Sequence, residues 1–189
     1  MSSLELEAKS LELGAKAQSS ITIRRGTAVG VLTPSTEADF DYINGHLRDM
    51  DKFEQDHCCR VIGESVRDSL GHMEKSWTLN LRGEIVGYVA LQVPPGCSPM
   101  SNLRNVPMIS TTNVAHHPID YVRLSRPILQ YVVSQAPSWV DTFISAPFKR
   151  YAQSVKWQEK TMGWHRVGEF DMGAGETAVL LKISRKELA

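Results

Sequence analysis

Ser76 to Val93 reads SWTLNLRGEIVGYVALQV. Apolar residues alternate with polar ones through Trp77, Leu79 and Leu81, and Arg82-Gly83-Glu84 interrupts the run. Ile85 to Val93 then resumes it. Two period-two runs about a short turn predict a β-hairpin. Upstream, Ile21-Thr-Ile-Arg-Arg alternates as a strand, and Val29 and Val31 extend or follow it. Pro34, Ser35 and Thr36 signal a helix start, with Glu37 and Asp39 in the first turn, where the helix dipole favours acids. Phe40, Ile43, Leu47 and Met50 fall at helical spacing as one buried stripe. A second helical stretch follows, with Val61, Ile62, Val66 and Leu70 on one face and Gly71 closing it.

Downstream of the hairpin, Pro94, Pro95, Gly96 and Pro99 mark a loop, and Val106 to Val114 is a further strand. His117-Pro118 opens a helix whose apolar positions include Val122, Leu124, Ile128, Leu129 and Val132. Pro127 inside it predicts a kink or an early restart. Trp139 to Ile144 reads as a strand and Tyr151 to Met162 as a helix ended by Gly163. Trp164 to Phe170 and Thr177 to Ile183 form a closing hairpin that turns at Gly173-Ala-Gly175. This order predicts an α/β (α+β) chain, a mixed sheet with helices on its faces. No long linker divides it, so residues 21–189 are read as one domain after an arm of residues 1–20.

The arm repeats a heptad, SLELEAK from Ser3 and SLELGAK from Ser10. Two heptads are fewer than the three or four of a sustained coiled coil. The arm reads as an exposed helix or frayed segment, or as a docking and self-association element carried by Leu4, Leu6, Leu11 and Leu13.

At 189 residues the chain can bury a core without metal or disulfide. Lys+Arg and Asp+Glu are 21 each, so the formal net charge is zero. That balance argues against broad binding to nucleic acid or anionic membranes, which depends on positive surface. No apolar run reaches the roughly 18–20 residues of a membrane helix. The start, Met1-Ser-Ser-Leu-Glu-Leu-Glu, lacks the basic and apolar regions of a secretory signal. Cys58, Cys59 and Cys97 are odd in number and without metal spacing, which fits a reducing compartment.

Phosphate-loop, dinucleotide, zinc-protease and nucleophile-elbow signatures are absent from the sequence. His116-His117 is read as a helix-start loop rather than a metal site, because neighbouring side chains diverge and no third ligand stands near. Metal ligands are therefore expected to be none. Arg48 to Asp56, RDMDKFEQD, mixes signs at helical spacing and is read as a solvated face with local ion pairs. The four tryptophans are read as core or sheet-face packing.

The order of elements from Ile21 to the closing hairpin resembles the GNAT acetyltransferase fold. Within that fold the chain resembles the internal virion protein A family of short-tailed phages, over roughly residues 20 to 183. The stretches that carry this are Asn44-Gly-His-Leu-Arg-Asp-Met-Asp, Ser65-Val-Arg-Asp-Ser-Leu, Gly87-Tyr-Val-Ala-Leu, Ser110-Thr-Thr-Asn-Val-Ala-His-His-Pro, Val155-Lys-Trp and Lys160-Thr-Met-Gly-Trp. The resemblance implies a mostly antiparallel sheet of six to seven strands with helices on both faces. It implies an acetyl-CoA thioester lying where strands near Val106–Val114 and Val140–Ser145 splay apart, held by backbone N–H groups at the end of the first strand. The pyrophosphate would sit on the next helix N-terminus. Thr112, Asn113, Val114, His116, His117, Arg123 and Arg126 are then the implied cofactor contacts, and Tyr151 and Glu159 the implied acid and base.

The sequence departs from that pattern. The turn Val114-Ala-His-His-Pro-Ile-Asp-Tyr-Val-Arg has no glycine to wrap a pyrophosphate, and Asp120 brings negative charge to it. One residue is inserted near Trp157–Glu159. Two functions therefore stand side by side. One is a phage virion or assembly component that binds phage structural proteins, in the host cytoplasm or the particle, with a degenerate acetyl-CoA site and no cofactor. The other is an acetyl-CoA-dependent N-acetyltransferase of a protein or small amine.

Overall fold

The computed structural model describes residues 19–62 and 73–189, with side chains of residues 58–62 left aside. The heptad arm, the Ser65 stretch and the positions Val66, Leu70 and Gly71 lie outside the described residues.

β1 (Ile21–Arg25) and β2 (Ala28–Pro34) form a hairpin, so Val29 and Val31 belong to its second strand. α1 (Glu37–Gly45) starts on a capping box. Thr36 Oγ1 accepts from the Asp39 N–H at 3.2 Å, and the Asp39 carboxylate accepts from the Thr36 N–H at 2.8 Å. α2 (Asp49–Ile62) follows after a break. The expected single stripe from Phe40 to Met50 is therefore wrong. Phe40 and Ile43 are buried on α1, whereas His46 to Arg48 leave the helix. Their main chain pairs elsewhere: Thr112 N–H donates to His46 O at 2.8 Å, Arg48 N–H to Ser110 O at 3.3 Å, and Leu47 bridges Thr111.

β3 (Met73–Leu81) and β4 (Glu84–Gln92) are the hairpin read first in the sequence, turning at Arg82 and Gly83 with φ of 52° and 89°. The strand expected over Val106–Val114 is instead two short ones, β5 (Leu103–Asn105) and β6 (Met108–Ser110), followed by a 3₁₀ turn over Thr112–His116. Pro107 has no N–H to donate and separates them. α3 (Pro118–Ser134) runs through Pro127 unbroken. The carbonyl that Pro127 cannot satisfy is that of Arg123, and Arg25 Nη1 donates to it at 3.4 Å. β7 (Thr142–Ser145) begins later than expected, and Trp139 stands in the preceding turn at 50% exposure rather than in the core. α4 (Ala152–Trp157) continues as a π turn over Gln158–Met162 and ends at Gly163, whose φ is 88°. β8 (His165–Gly173), β9 (Glu176–Ser184) and α5 (Arg185–Leu188) complete the chain.

The strand order is β1-β2-β3-β4-β5-β7-β9-β8, with β6 also on β4. Every pairing is antiparallel except β5 with β7. Among the described residues nine strands are present where six or seven were expected, because the β1–β2 hairpin and the Pro107 break each add one. α3 covers one face through Leu124, Ile128 and Leu129 against Leu32, Leu81 and Val86. Phe40 and Ile43 of α1 cover Tyr88 and Ala90 on the other. Helices thus lie on both faces of a mixed, mostly antiparallel sheet.

Arg104 on β5 is fully buried. Its guanidinium grips Glu74 of β3 at 2.6 and 2.8 Å and donates to the carbonyls of Pro99, Ser101 and Leu103. This clamp fixes the start of the parallel pair.

Candidate functional site

β5 and β7 run parallel over Leu103–Asn105 and Thr142–Ile144, and the Val106 N–H still reaches Ile144 O at 2.9 Å. Beyond that point the chain leaves β7, and β6 pairs with β4, Met108 with Val89 and Ser110 with Gly87. The sheet splits into a wedge. Gly87 is essential to the split, because a Cβ there would stand 2.1 Å from Ile109 O and the residue has φ of 154°. Pro107 O accepts from Ala90 N–H and Thr111 N–H donates to Val86 O, so these alternate residues face β4. By the period of two, Met108 and Ser110 turn their main-chain groups into the wedge.

A cavity of about 310 Å³ opens over the wedge. Arg48, just before α2, and Asp51, Glu54 and Gln55 on it line the cavity; Met108 and Ile109 form one side, and Pro147 and Phe148 the other. Tyr121 and Trp157 close it from the α3–α4 side, stacked with centroids 5.7 Å apart. Asp51 is buried. It accepts from Arg48 Nε at 2.7 Å and from the Ser110 N–H at 3.3 Å. Burial pushes its carboxyl up, against the pull of Arg48. Glu54 accepts from the Phe148 N–H at 3.2 Å, and burial pushes its carboxyl up to about 7. Burial also raises the Tyr121 phenol, which shares a 2.7 Å hydrogen bond with Ser110 Oγ. A carboxyl near 7 inside an apolar cavity can hold or release a proton at neutral pH.

Arg48, Asp51 and Glu54 were read as a solvated face, and the structure overturns that. They recur every three residues, Arg48 just before α2 and Asp51 and Glu54 on one side of it, and that spacing in RDMDKFEQD was the available signal. The helix packs that side over the wedge, which no local pattern in the sequence reveals.

The second region is the turn before α3. Glu84 Oε2 accepts from His116 Nδ1 and from His117 Nε2, each at 3.0 Å. Adjacent histidines thus converge on one oxygen, contrary to the expected divergence. Those bonds, His116 first, hold the Glu84 carboxyl below its usual range. Asp120 pairs with Arg82 at 2.9 Å. Thr112 N–H ends on His46 O, Asn113 N–H on Thr111 Oγ1, Val114 N–H on Thr111 O, and His117 N–H on Val114 O. The side chain of Asn113 ties Tyr42 Oη to Ile85 O.

Arg123 reaches Thr27 Oγ1 at 3.4 Å on the β1–β2 turn, while Arg126 donates to Met162 O and Glu187 O. Tyr151 caps α4 under the Arg150 guanidinium, whose carbon lies 5.7 Å from its ring centroid, and does not line the cavity. Glu159 pairs with Arg166 at 3.0 Å. Among the described residues no group of three His, Cys, Asp or Glu could hold a metal ion, and no helix is long and apolar enough to cross a membrane.

This architecture is shared by solved structures. An aminoglycoside acetyltransferase in complex with coenzyme A superposes with a TM-score of 0.59 at 15% identity, covering 83% of this chain and 95% of that one. A GNAT-family acetyltransferase from Bacillus anthracis gives 0.59 at 14%, covering 88% and 99%. RimJ of Mycobacterium smegmatis, in complex with CoA-disulfide, gives 0.59 at 14%, covering 92% and 90%. The chain has the GNAT fold. No protein-family model matches the sequence, and no curated protein matches it.

The GNAT fold implies acetyl-CoA, and the residues present do not fit it. Around the implied thioester position, the N–H groups of Ser110, Thr112, Asn113, Val114 and His117 end on acceptors of the chain itself. Pro118 removes another donor, and the carboxylates of Glu84 and Asp120 stand on the turn where phosphates would add negative charge.

Proposed function

We propose that this chain is a GNAT-fold protein that transfers no acetyl group and acts by binding other proteins, as a virion or assembly component of a short-tailed phage. The observation that carries the loss of transfer is the internal use of the Ser110, Thr112, Asn113, Val114 and His117 N–H groups. The phage role rests on the sequence resemblance, and residues 3–16 are its proposed docking and self-association arm. Its setting is the host cytoplasm or the particle.

Calorimetry with acetyl-CoA on the full chain tests the first half: no heat at millimolar cofactor is expected, and micromolar binding overturns it. Deleting residues 1–20 tests the second, with oligomeric state by light scattering and capture of particle proteins as readouts. Loss of both is expected, and retention of both removes the arm from the reading.

One observation favours a second reading, an acetyl-CoA-dependent N-acetyltransferase. Glu54 is a half-buried carboxyl raised to about 7 beside the wedge, suited to accept a proton from an ammonium substrate. On that reading Glu54, and not Tyr151 or Glu159, is the base. It requires Asp51 to release the Ser110 N–H, and the same titration decides it.

A further inference from the structure

A second groove, open and about 590 Å³ in volume, lies between the β1–β2 turn and α3. Arg25, Gly26 and Thr27 line it from the turn, Val122 and Arg123 from α3, and Thr161 from the π turn. The lining thus holds two cations, two hydroxyls and no carboxylate. Each arginine is held by the other's element. Arg25 Nη1 donates to Arg123 O, and Arg123 Nη1 to Thr27 Oγ1, each at 3.4 Å. Their guanidiniums make no other hydrogen bond and no ion pair among the described residues. The acids flanking the groove are engaged elsewhere: Asp120 with Arg82 at 2.9 Å, Glu159 with Arg166 at 3.0 Å, Glu187 with His165 at 2.6 Å.

That arrangement says what the groove would take. Two like charges in one groove repel, and no side chain there offsets them. A guanidinium is a planar fork that matches two oxygens of a phosphoryl group, and threonine hydroxyls can donate to another. A phosphate monoester carries close to two negative charges at neutral pH, which answers two arginines; a carboxylate carries one. Val122 leaves an apolar wall for the group that the ester carries. None of the turn residues 112–117 lines the groove, so it is separate from the helix start where the fold would place a pyrophosphate.

We propose that the groove between the β1–β2 turn and α3 binds the phosphate monoester of a small molecule, its oxygens shared between the guanidiniums of Arg25 and Arg123. The inference goes beyond the proposed function and does not rest on it.

The full chain is titrated by calorimetry at low salt with phenyl phosphate, sulfate and benzoate in separate runs. Phenyl phosphate is expected to bind at about pH 7.5 with a Kd below about 1 mM, and benzoate at least tenfold more weakly. At about pH 5 the ester regains its second proton, whose pKa is about 6, and its affinity is expected to fall roughly fivefold. Sulfate keeps its charge and its affinity. Arg25→Gln and Arg123→Gln are each expected to weaken phenyl phosphate at least fivefold. Lys182→Gln, which removes an exposed cation from β9, is expected to change nothing. The guanidinium Nε–H resonances of Arg25 and Arg123 are expected to shift in the unaltered chain, a readout that needs no variant to fold. Acetyl-CoA also carries a phosphate monoester, so its titration is repeated on Arg25→Gln: heat lost there belongs to this groove, and heat kept belongs to the wedge. No phenyl phosphate binding at about 10 mM, benzoate binding as tightly, sulfate weakening with pH as the ester does, unmoved resonances at saturation, or Lys182→Gln costing as much as Arg25→Gln each overturns the proposal.

Discussion

The turn before α3 and the cavity over β6 each hold two carboxylates, and the two pairs behave in opposite ways. Glu84 and Asp120 are met by cationic or ring N–H partners at the surface, and Glu84 is held below its usual range. Asp51 and Glu54 lie under α2, where burial outweighs every partner and raises both. The chemical group is the same, and solvent access sets the sign. A carboxylate paired at the surface is spent, so the turn presents a finished structure. A carboxyl held near neutrality by burial is still available, so the cavity keeps its chemistry.

The contrast can be broken first at its frame. Gly87→Ala drives a Cβ into Ile109 O at a φ of 154°, so β4 and β6 cannot both stay in place. A loss of about 3 kcal/mol is expected by denaturant unfolding, with the cavity closed or distorted. A loss below about 0.5 kcal/mol would show that the wedge does not depend on that close approach.

Glu54 gives the next effect, through pH. Its folded pKa, about 7, lies above its ordinary 4.5, so the folded chain binds the extra proton between those values. Stability is therefore fully present below pH 4.5 and falls as pH rises towards 7, by up to roughly 3 kcal/mol. Asp51, also raised, acts with the same sign. Glu54→Gln keeps an acceptor for the Phe148 N–H and removes the titration. The difference between the two unfolding curves across this window isolates Glu54, and curves that stay parallel from pH 4.5 to 7 would show that Glu54 does not titrate there.

Asp51→Ala leaves the Ser110 N–H and Arg48 without their shared acceptor, and a loss of about 2 kcal/mol is expected. Glu84→Gln should do least, because its carboxylate is exposed and its histidine partners can turn to water. Thermal melting is expected to move by less for Glu84→Gln than for Asp51→Ala. The reverse order would undo the distinction between the two regions.

Much of the fold was legible. The Arg82-Gly83 hairpin, the Thr36 helix start, the Pro118 opening of α3 and the Gly173–Gly175 turn are set by local chemistry, and each stands where the sequence put it. What misled were places where distant main chain intervened. Leu47 has helical spacing, yet His46 to Arg48 pair with Ser110 to Thr112, 64 positions along in the case of Leu47 and Thr111. The site was less legible than the fold. Asp51 and Glu54 carry the composition of a wet helix, and only the position of α2 over the split sheet buries Asp51 and half-buries Glu54. The turn residues His116, His117 and Asp120 attracted notice, but their partners Glu84 and Arg82 come from a hairpin more than thirty positions away.

The Arg104 clamp bears on the order in which the molecule assembles. Its guanidinium is satisfied only when β3, the segment from Pro99 to Leu103 and the start of β5 have met. A guanidinium sealed before its carboxylate arrives is strongly unfavourable, so nascent chains keep Arg104 in water until Glu74 is in reach. The parallel strands, and the split they open into, are therefore expected to form after the local hairpins.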